Sequence, residues 1–146
     1  MLIYLDTCAI QRPLDDRSQL RIRVEGDILL SVIAAAETGA LELVSSSVLR
    51  FETENTPIVT RRDFGRHVLS LATEDTDTTP VVEEKAREYE TLGIKPLDAV
   101  HLASALAMGA DFFCTVDDDF LRKAQTANTG ETRVVSPHEL MIELAL

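Results

Sequence analysis

The apolar positions fall into short runs and helical repeats that alternate along the chain. Leu2 to Leu5 form a continuous apolar run that stops at Asp6, the pattern of a strand buried on both faces and therefore of a parallel sheet. Arg12-Pro13 and Asp15-Asp16 read as a loop. From Ser18 to about Glu37, Leu20, Val24, Ile28, Val32 and Ala35 recur at helical spacing, and Gly39 supplies the stop. Leu41 to Val44 reads as a second strand, and Ser45-Ser46-Ser47 offers capping oxygens for a helix through Glu52. Thr56-Pro57 opens another helix with Phe64, Val68 and Leu71 on its inner face. The polar, threonine-rich stretch Glu74 to Thr79 leaves room for a brief third strand.

The second half repeats the alternation. Pro80 begins a helix running to Leu92 and closed by Gly93. Pro96 begins the next, with Leu97, Val100, Leu102, Ala103 and Leu106 expected inside and Gly109 as its stop. Asp111 to Val116 reads as a strand, Asp118 to about Gln125 as a helix and Val134-Val135 as a short last strand. Ser136-Pro137 caps a closing helix whose Leu140, Ile142 and Leu144 are expected to pack inward. Alternating strands and helices predict a single doubly wound α/β domain over residues 1–146, a three-layer α/β/α sandwich with right-handed crossovers around a parallel sheet of four or five strands.

Composition changes the picture only in places. A length of 146 residues with 45% hydrophobic content builds a core without staples. No apolar run approaches the ~20 residues that span a bilayer, and MLIYLDT has no basic n-region or long apolar h-region. The expected location is the cytoplasm, with Cys8 and Cys114 as free thiols. His67, His101 and His138 are scattered, which argues against a zinc site of Cys/His type. The net charge of -11 argues against generic nucleic-acid binding. Set against it are two arginine groups, Arg12, Arg17, Arg21 and Arg23, and Arg50, Arg61, Arg62 and Arg66. They are either solvated helix faces paired with nearby acids or local sources of positive potential. Arg12 and Arg50 are the candidate substrate contacts.

In doubly wound folds the working site lies beyond the carboxyl ends of the strands. Asp6 follows strand one, Glu52 lies in the helix after strand two, Asp98 is in the first turn of a helix and Asp117 follows the strand DFFCTV. These four acids are expected to converge at one sheet edge and to hold a hard divalent cation through oxygen. Without metal, crowding of like charges should raise the pKa of at least one of them. Each acid also has a plain structural role open to it: a turn or cap for Asp6, dipole compensation for Asp98, a solvated turn for Asp117, an exposed helix face for Glu52, with Glu54 as its rival.

Four stretches resemble the motifs of PIN-domain nucleases, the family that includes the toxin halves of VapBC toxin–antitoxin pairs. YLDT resembles the opening strand and first aspartate, and SSSVLRFE the looser second motif, with a serine after strand two and a glutamate in the helix. PLDAVHLASALAMGAD resembles the third acidic motif and FFCTVDDDF the last. The resemblance implies Asp6, Glu52, Asp98 and Asp117 as catalytic acids, with Asp6, Asp98, Asp117 and peripheral Asp119 as metal ligands. Thr115 and Ser46 would support the site. It further implies Mg²⁺ or Mn²⁺, RNA as substrate, a small antitoxin partner and a homodimer. The expected function is that of a metal-dependent endoribonuclease, the toxin of a toxin–antitoxin pair; the alternative is a catalytically silent PIN-like module that binds a partner. The charged segment RPLDDRSQLRIRVE and the long first helix depart from the family pattern, which points to a different substrate or partner. A haloacid-dehalogenase reading needs a second aspartate where Cys8 stands, and a receiver domain needs an early acidic pair and a late lysine, neither of which is evident. Cys8 and Cys114 are read as packing residues near the site, Tyr89 and Met108 as packing residues, and His101, one turn after Asp98, as a hydrogen-bonded structural histidine, a phosphate contact or a group that orients Asp98.

Overall fold

A parallel sheet of five strands forms the middle of the molecule, whose computed structural model describes residues 1–145. The strands are β1 Leu2–Leu5, β2 Glu42–Ser46, β3 Glu74–Thr76, β4 Phe112–Cys114 and β5 Arg133–Val135. They lie in the order β3-β2-β1-β4-β5, all parallel. The chain starts at the centre, builds outward through β2 to β3, then crosses to the other side of β1 for β4 and β5. The direction of winding reverses between β1 and β4, which is where a doubly wound sheet opens a crevice at its carboxyl edge. In register, Ile3 stands opposite Leu43 and Phe112, and Leu5 opposite Cys114, so Asp6 and Thr115 leave the sheet side by side.

Eight helices cover the sheet in the expected three-layer arrangement: α1 Thr7–Gln11, α2 Leu20–Glu37, α3 Ser47–Glu54, α4 Val59–Ser70, α5 Pro80–Glu90, α6 Pro96–Ala107, α7 Asp118–Thr126 and α8 Pro137–Leu144. Among the described residues no helix is long and apolar enough to cross a membrane. β1 is buried on both faces, as its unbroken apolar run requires. Tyr4, Phe113 and Phe120 form the aromatic centre of the core. The Tyr4 and Phe113 rings stack with centroids 5.1 Å apart, and Phe120 meets Phe113 edge-on at 5.5 Å. Tyr89 and Met108 pack into or against the core as expected, and the Tyr89 hydroxyl donates to the Asn128 carbonyl.

The largest local departure follows β1. The stretch expected to be a loop holds α1 and a 3₁₀ turn over Arg12–Leu14. Helix α1 has only five residues, too few for a period to show, and Asp6 starts it by accepting the Thr7 N–H. The inner face of α2 is rotated from the expected stripe. Leu20 is exposed, and the buried positions are Ile28, Leu29, Val32 and Ile33 together with Glu25 and Gly26. α2 packs on the 3₁₀ turn as well as on the core, and a Cβ at Gly26 would lie 3.2 Å from the Pro13 Cα. Leu97 and Ile142, expected inside, are exposed, because no layer covers the outer faces of α6 and α8 at those positions. α4 starts at Val59 rather than at Thr56-Pro57, and β4 spans three residues rather than six. The third strand is present as an exposed edge, with Glu74 opposite Val44. Gly39 ends α2 with φ +78°, a conformation that a side chain resists.

Leu49 is fully buried in α3 and Ile142 is 72% exposed. Leu49→Ala should therefore cost about 2–5 kcal/mol in urea unfolding, whereas Ile142→Ala should change stability by less than about 0.5 kcal/mol.

Candidate active site

Asp6 stands just past β1, 4% exposed, and is the N-cap of α1. Its Oδ1 accepts the Thr7 N–H at 2.8 Å, and its Oδ2 accepts the Thr115 hydroxyl at 3.0 Å and the Cys8 thiol at 3.2 Å. Thr115, just past β4, also accepts the backbone N–H of Asp117 at 3.2 Å. One hydroxyl therefore ties the residues that follow two adjacent strands. Asp117 in turn caps α7, its Oδ1 accepting the Phe120 N–H at 3.1 Å. Both aspartates cap helices: Asp6 in the turn-or-cap role open to it, and Asp117 as a cap rather than a solvated turn.

Asp98 enters from the first turn of α6. With Lys95, Asp117, Asp119 and Lys123 it lines a small crevice between α6 and α7. Glu52 enters from α3, where it accepts the Thr7 hydroxyl at 2.7 Å and pairs with Nε2 of His101. Glu54 points elsewhere, exposed and paired with Arg66. Glu52 and Asp6 both approach Nε2 of His101, which pairs with Glu52 and lies 3.9 Å from Asp6 Oδ1, whereas Glu54 lies away from it.

Behind the acids runs a buried polar chain that sequence reasoning did not assemble. His101 is fully buried and Nδ1 lies 2.6 Å from the Tyr4 hydroxyl, which in turn lies 2.7 Å from Ser46 Oγ. Ser46 caps α3 through the Leu49 N–H. His101 thus takes the structural role among those considered, and it orients Glu52 rather than Asp98. A signal for Tyr4 was available: it is the polar-tipped residue in an apolar strand, two positions before Asp6 and so on the same side of the sheet. Thr7 carried no comparable signal.

The acids feel one another. Burial raises the Asp98 pKa first, and the charges of Asp6, Asp117 and Glu52 add to it, so it reaches about 6 despite the opposing effect of His101. This is the response expected of crowded carboxylates. For Glu52, burial acts upward, but the hydrogen bond and charge of His101, with help from Thr7, outweigh it and hold the carboxyl below its usual value. For His101, burial acts against the imidazolium, and the bond to Glu52 with the charges of Asp6, Glu52 and Asp98 overcomes it, so its pKa is raised. Burial, then the Asp6 charge, pushes both thiols, Cys8 and Cys114, well up, which leaves them protonated and unsuited to nucleophilic or redox chemistry.

The donor set suits a hard divalent cation: carboxylate oxygens from four segments, one of them with a raised proton affinity that a cation would relieve. Among the described residues no group of three or more His, Cys, Asp or Glu side chains stands ready to hold a metal ion. A cation here would have to draw the acids together, or be held by one or two of them with water completing its shell. Asp119 lines the crevice but is bonded to Arg122 and to Lys123 at 2.9 Å. The two candidate substrate arginines are already paired, Arg12 with Asp15 and Glu25, and Arg50 with Asp75 and Asp77.

A carboxyl whose folded pKa lies above its unfolded value binds its proton more tightly when folded. Its contribution favours the fold at low pH and drains away as pH rises from 3.8 to about 6. Asp98→Asn should therefore stabilise the metal-free protein at pH 8 by about 1 kcal/mol, allowing for solvent screening of a half-buried group, with the gain vanishing toward pH 4; thermal unfolding in a chelator across this range checks it. Tyr4→Phe should cost about 1–3 kcal/mol, because it leaves Ser46 and His101 buried without their shared partner.

Comparison with known proteins agrees with the fold. A family model for the PIN domain matches residues 3–125. No curated protein sequence matches the chain. Among solved structures, VapBC2 from Rickettsia felis bound to a DNA fragment from its promoter superposes with a TM-score of 0.58 at 13% identity, covering 93% of this chain and 98% of that one. PAE2754 from Pyrobaculum aerophilum gives 0.54 at 17% identity, covering 99% and 90%, and DNA-bound VapBC from Salmonella typhimurium 0.53 at 16%, covering 94% and 99%. At these identities the likeness concerns the fold. With the family match spanning residues 3–125, the chain belongs to the PIN-domain family, a family of nucleases.

Proposed function

We propose that this protein is a metal-dependent endoribonuclease that hydrolyses RNA phosphodiester bonds and acts as the toxin of a toxin–antitoxin pair. What carries the reading is the family match over residues 3–125 together with the crevice that Asp98 and Asp117 share at the edge where the sheet reverses its winding; burial, and then the charges of Asp6, Asp117 and Glu52, raise the Asp98 pKa there. Asp6, Asp98 and Asp117 would hold Mg²⁺ or Mn²⁺, with Glu52 binding directly or through water and Asp119 at the periphery. When bound, such an ion polarises a phosphoryl oxygen and lowers the pKa of water enough to generate a nucleophile near neutral pH.

The remaining steps belong to the chain's own groups. Thr115 fixes Asp6 against the backbone of Asp117, and Thr7 with His101 fixes Glu52, so the acids keep their directions when a cation arrives. Ser46 supports the same chain from behind through Tyr4. Arg12 and Arg50 reach an RNA phosphate by exchanging a carboxylate partner for it. The VapBC assemblies among the structural neighbours support a small antitoxin as partner, and the family resemblance supports a homodimer working in the cytoplasm. A gene for a small DNA-binding protein beside this one is the expected genomic context.

RNA cleavage should require Mg²⁺ or Mn²⁺ and stop on chelation. Asp6→Asn should reduce it by more than about 100-fold, beyond the loss from removing a ligand's hydrogen-bond partner, while the protein still folds. Wild-type cleavage by Asp6→Asn would sink the assignment. A wild-type protein that neither cuts RNA nor gains thermal stability from Mn²⁺ would instead be a silent partner-binding module.

A further inference from the structure

The charged segment over residues 12–25, which follows α1 and runs into α2, departs from the family pattern, and the reading above uses only Arg12 of it. In the fold it condenses around one carboxylate. Glu25 is 2% exposed, and its Oε1 accepts from Arg12 Nε at 3.0 Å, Arg12 Nη2 at 2.9 Å and Arg21 Nε at 3.3 Å. Arg12 also holds Asp15 at 3.1 Å, and Asp15 takes a second guanidinium, Arg61 of α4, at 2.8 Å. Arg21 turns the other way. Its Nη1 and Nη2 hold both oxygens of Asp118, at 2.8 and 2.7 Å. Asp118 is the first residue of α7 and directly follows Asp117.

An exposed ion pair usually contributes little. This one differs in two ways. The guanidinium binds Asp118 as a two-pronged fork, and its Nε–H is held by the buried carboxylate of Glu25, which Arg12 also pairs. The partners available to the three consecutive acids also differ. Asp119 is held by Arg122 and Lys123 of α7 itself, whereas Asp118 is held from α2. The tether therefore fixes the start of α7 relative to another layer of the fold.

We propose that Arg21, anchored on Glu25, is a positioning residue for the acidic site: through Asp118 it holds the first turn of α7 so that Asp117 faces Asp98 and Asp6. The catalytic consequence rests on the proposed metal-dependent nuclease; the mechanical one rests on the fork alone.

The test uses Arg21→Ala, Arg21→Lys, Asp118→Ala and the Arg21→Ala/Asp118→Ala double variant. Asp118 is exposed, so its replacement leaves the fold in place if Arg21→Ala does not. The first readout is hydrogen exchange of the Phe120 amide, bonded to Asp117, in metal-free protein, with the Leu49 amide, bonded to Ser46, as control. Phe120 should exchange about tenfold faster in each single variant, the scale of a charge-assisted hydrogen bond, with no further gain in the double variant and no change at Leu49. The second readout is Mn²⁺ binding by calorimetry, which should weaken by about tenfold in the same variants. Wild-type protection of Phe120 in Arg21→Ala or Asp118→Ala overturns the inference. So does full protection in Arg21→Lys, since a lysine supplies the charge without the fork, and so do additive effects in the double variant. Absence of Mn²⁺ binding in the wild-type protein, with Phe120 responding as expected, defeats the metal-site reading and leaves the positional inference standing.

Discussion

Carboxylates gathered at the end of a buried sheet repel one another, and the elements around this site are arranged against that repulsion. Asp6 spends both oxygens on donors from Thr7, Thr115 and Cys8. Glu52 is matched by His101 and Thr7, and Asp117 by the amide end of α7. The residual strain falls on Asp98, whose pKa rises to about 6. Hydrogen bonds to the charged form hold a carboxylate ionised, whereas burial and like charge oppose it, so Glu52 and Asp98 are shifted in opposite directions.

The compensation reaches into the core. Tyr4 stacks on Phe113 and at the same time bridges Ser46 and His101. The ring that fills the centre of the domain therefore also sets the direction of the imidazole that holds Glu52. A polar chain buried this deeply stabilises only while every member is satisfied, which links the packing of the core to the geometry of the acids. Capping adds to this, since Asp6 and Asp117 each start a helix, and the Asp117 side chain also lines the crevice.

The net charge of -11 is unevenly balanced. Arg12, Arg21, Arg50, Arg61 and Arg66 are each paired with acids, so little free positive potential remains to attract a polyanion from a distance. On the proposed reading, contact with RNA would depend on exchange of partners at close range and on a bound cation, and should be sensitive to salt.

What the sequence determined by itself was whatever depends on nearest neighbours along the chain. The unbroken apolar run of β1, the helical periods, the serine and proline starts and the glycine stops specified the α/β alternation, and with it the edge at which Asp6, Asp98 and Asp117 had to emerge. Short elements escaped, because the five residues of α1 hold too little of a helical period to announce it. The burial of Leu20, Leu97 and Ile142 was misjudged because periodicity marks a face without saying whether another layer covers it. Tertiary structure alone set Glu52 against His101 and Glu54 against Arg66, joined Tyr4 to His101 across 97 residues, and turned a run of arginines into a network centred on a buried Glu25. Such partners are far apart in sequence and close only after the strands have paired, so no local pattern carries them.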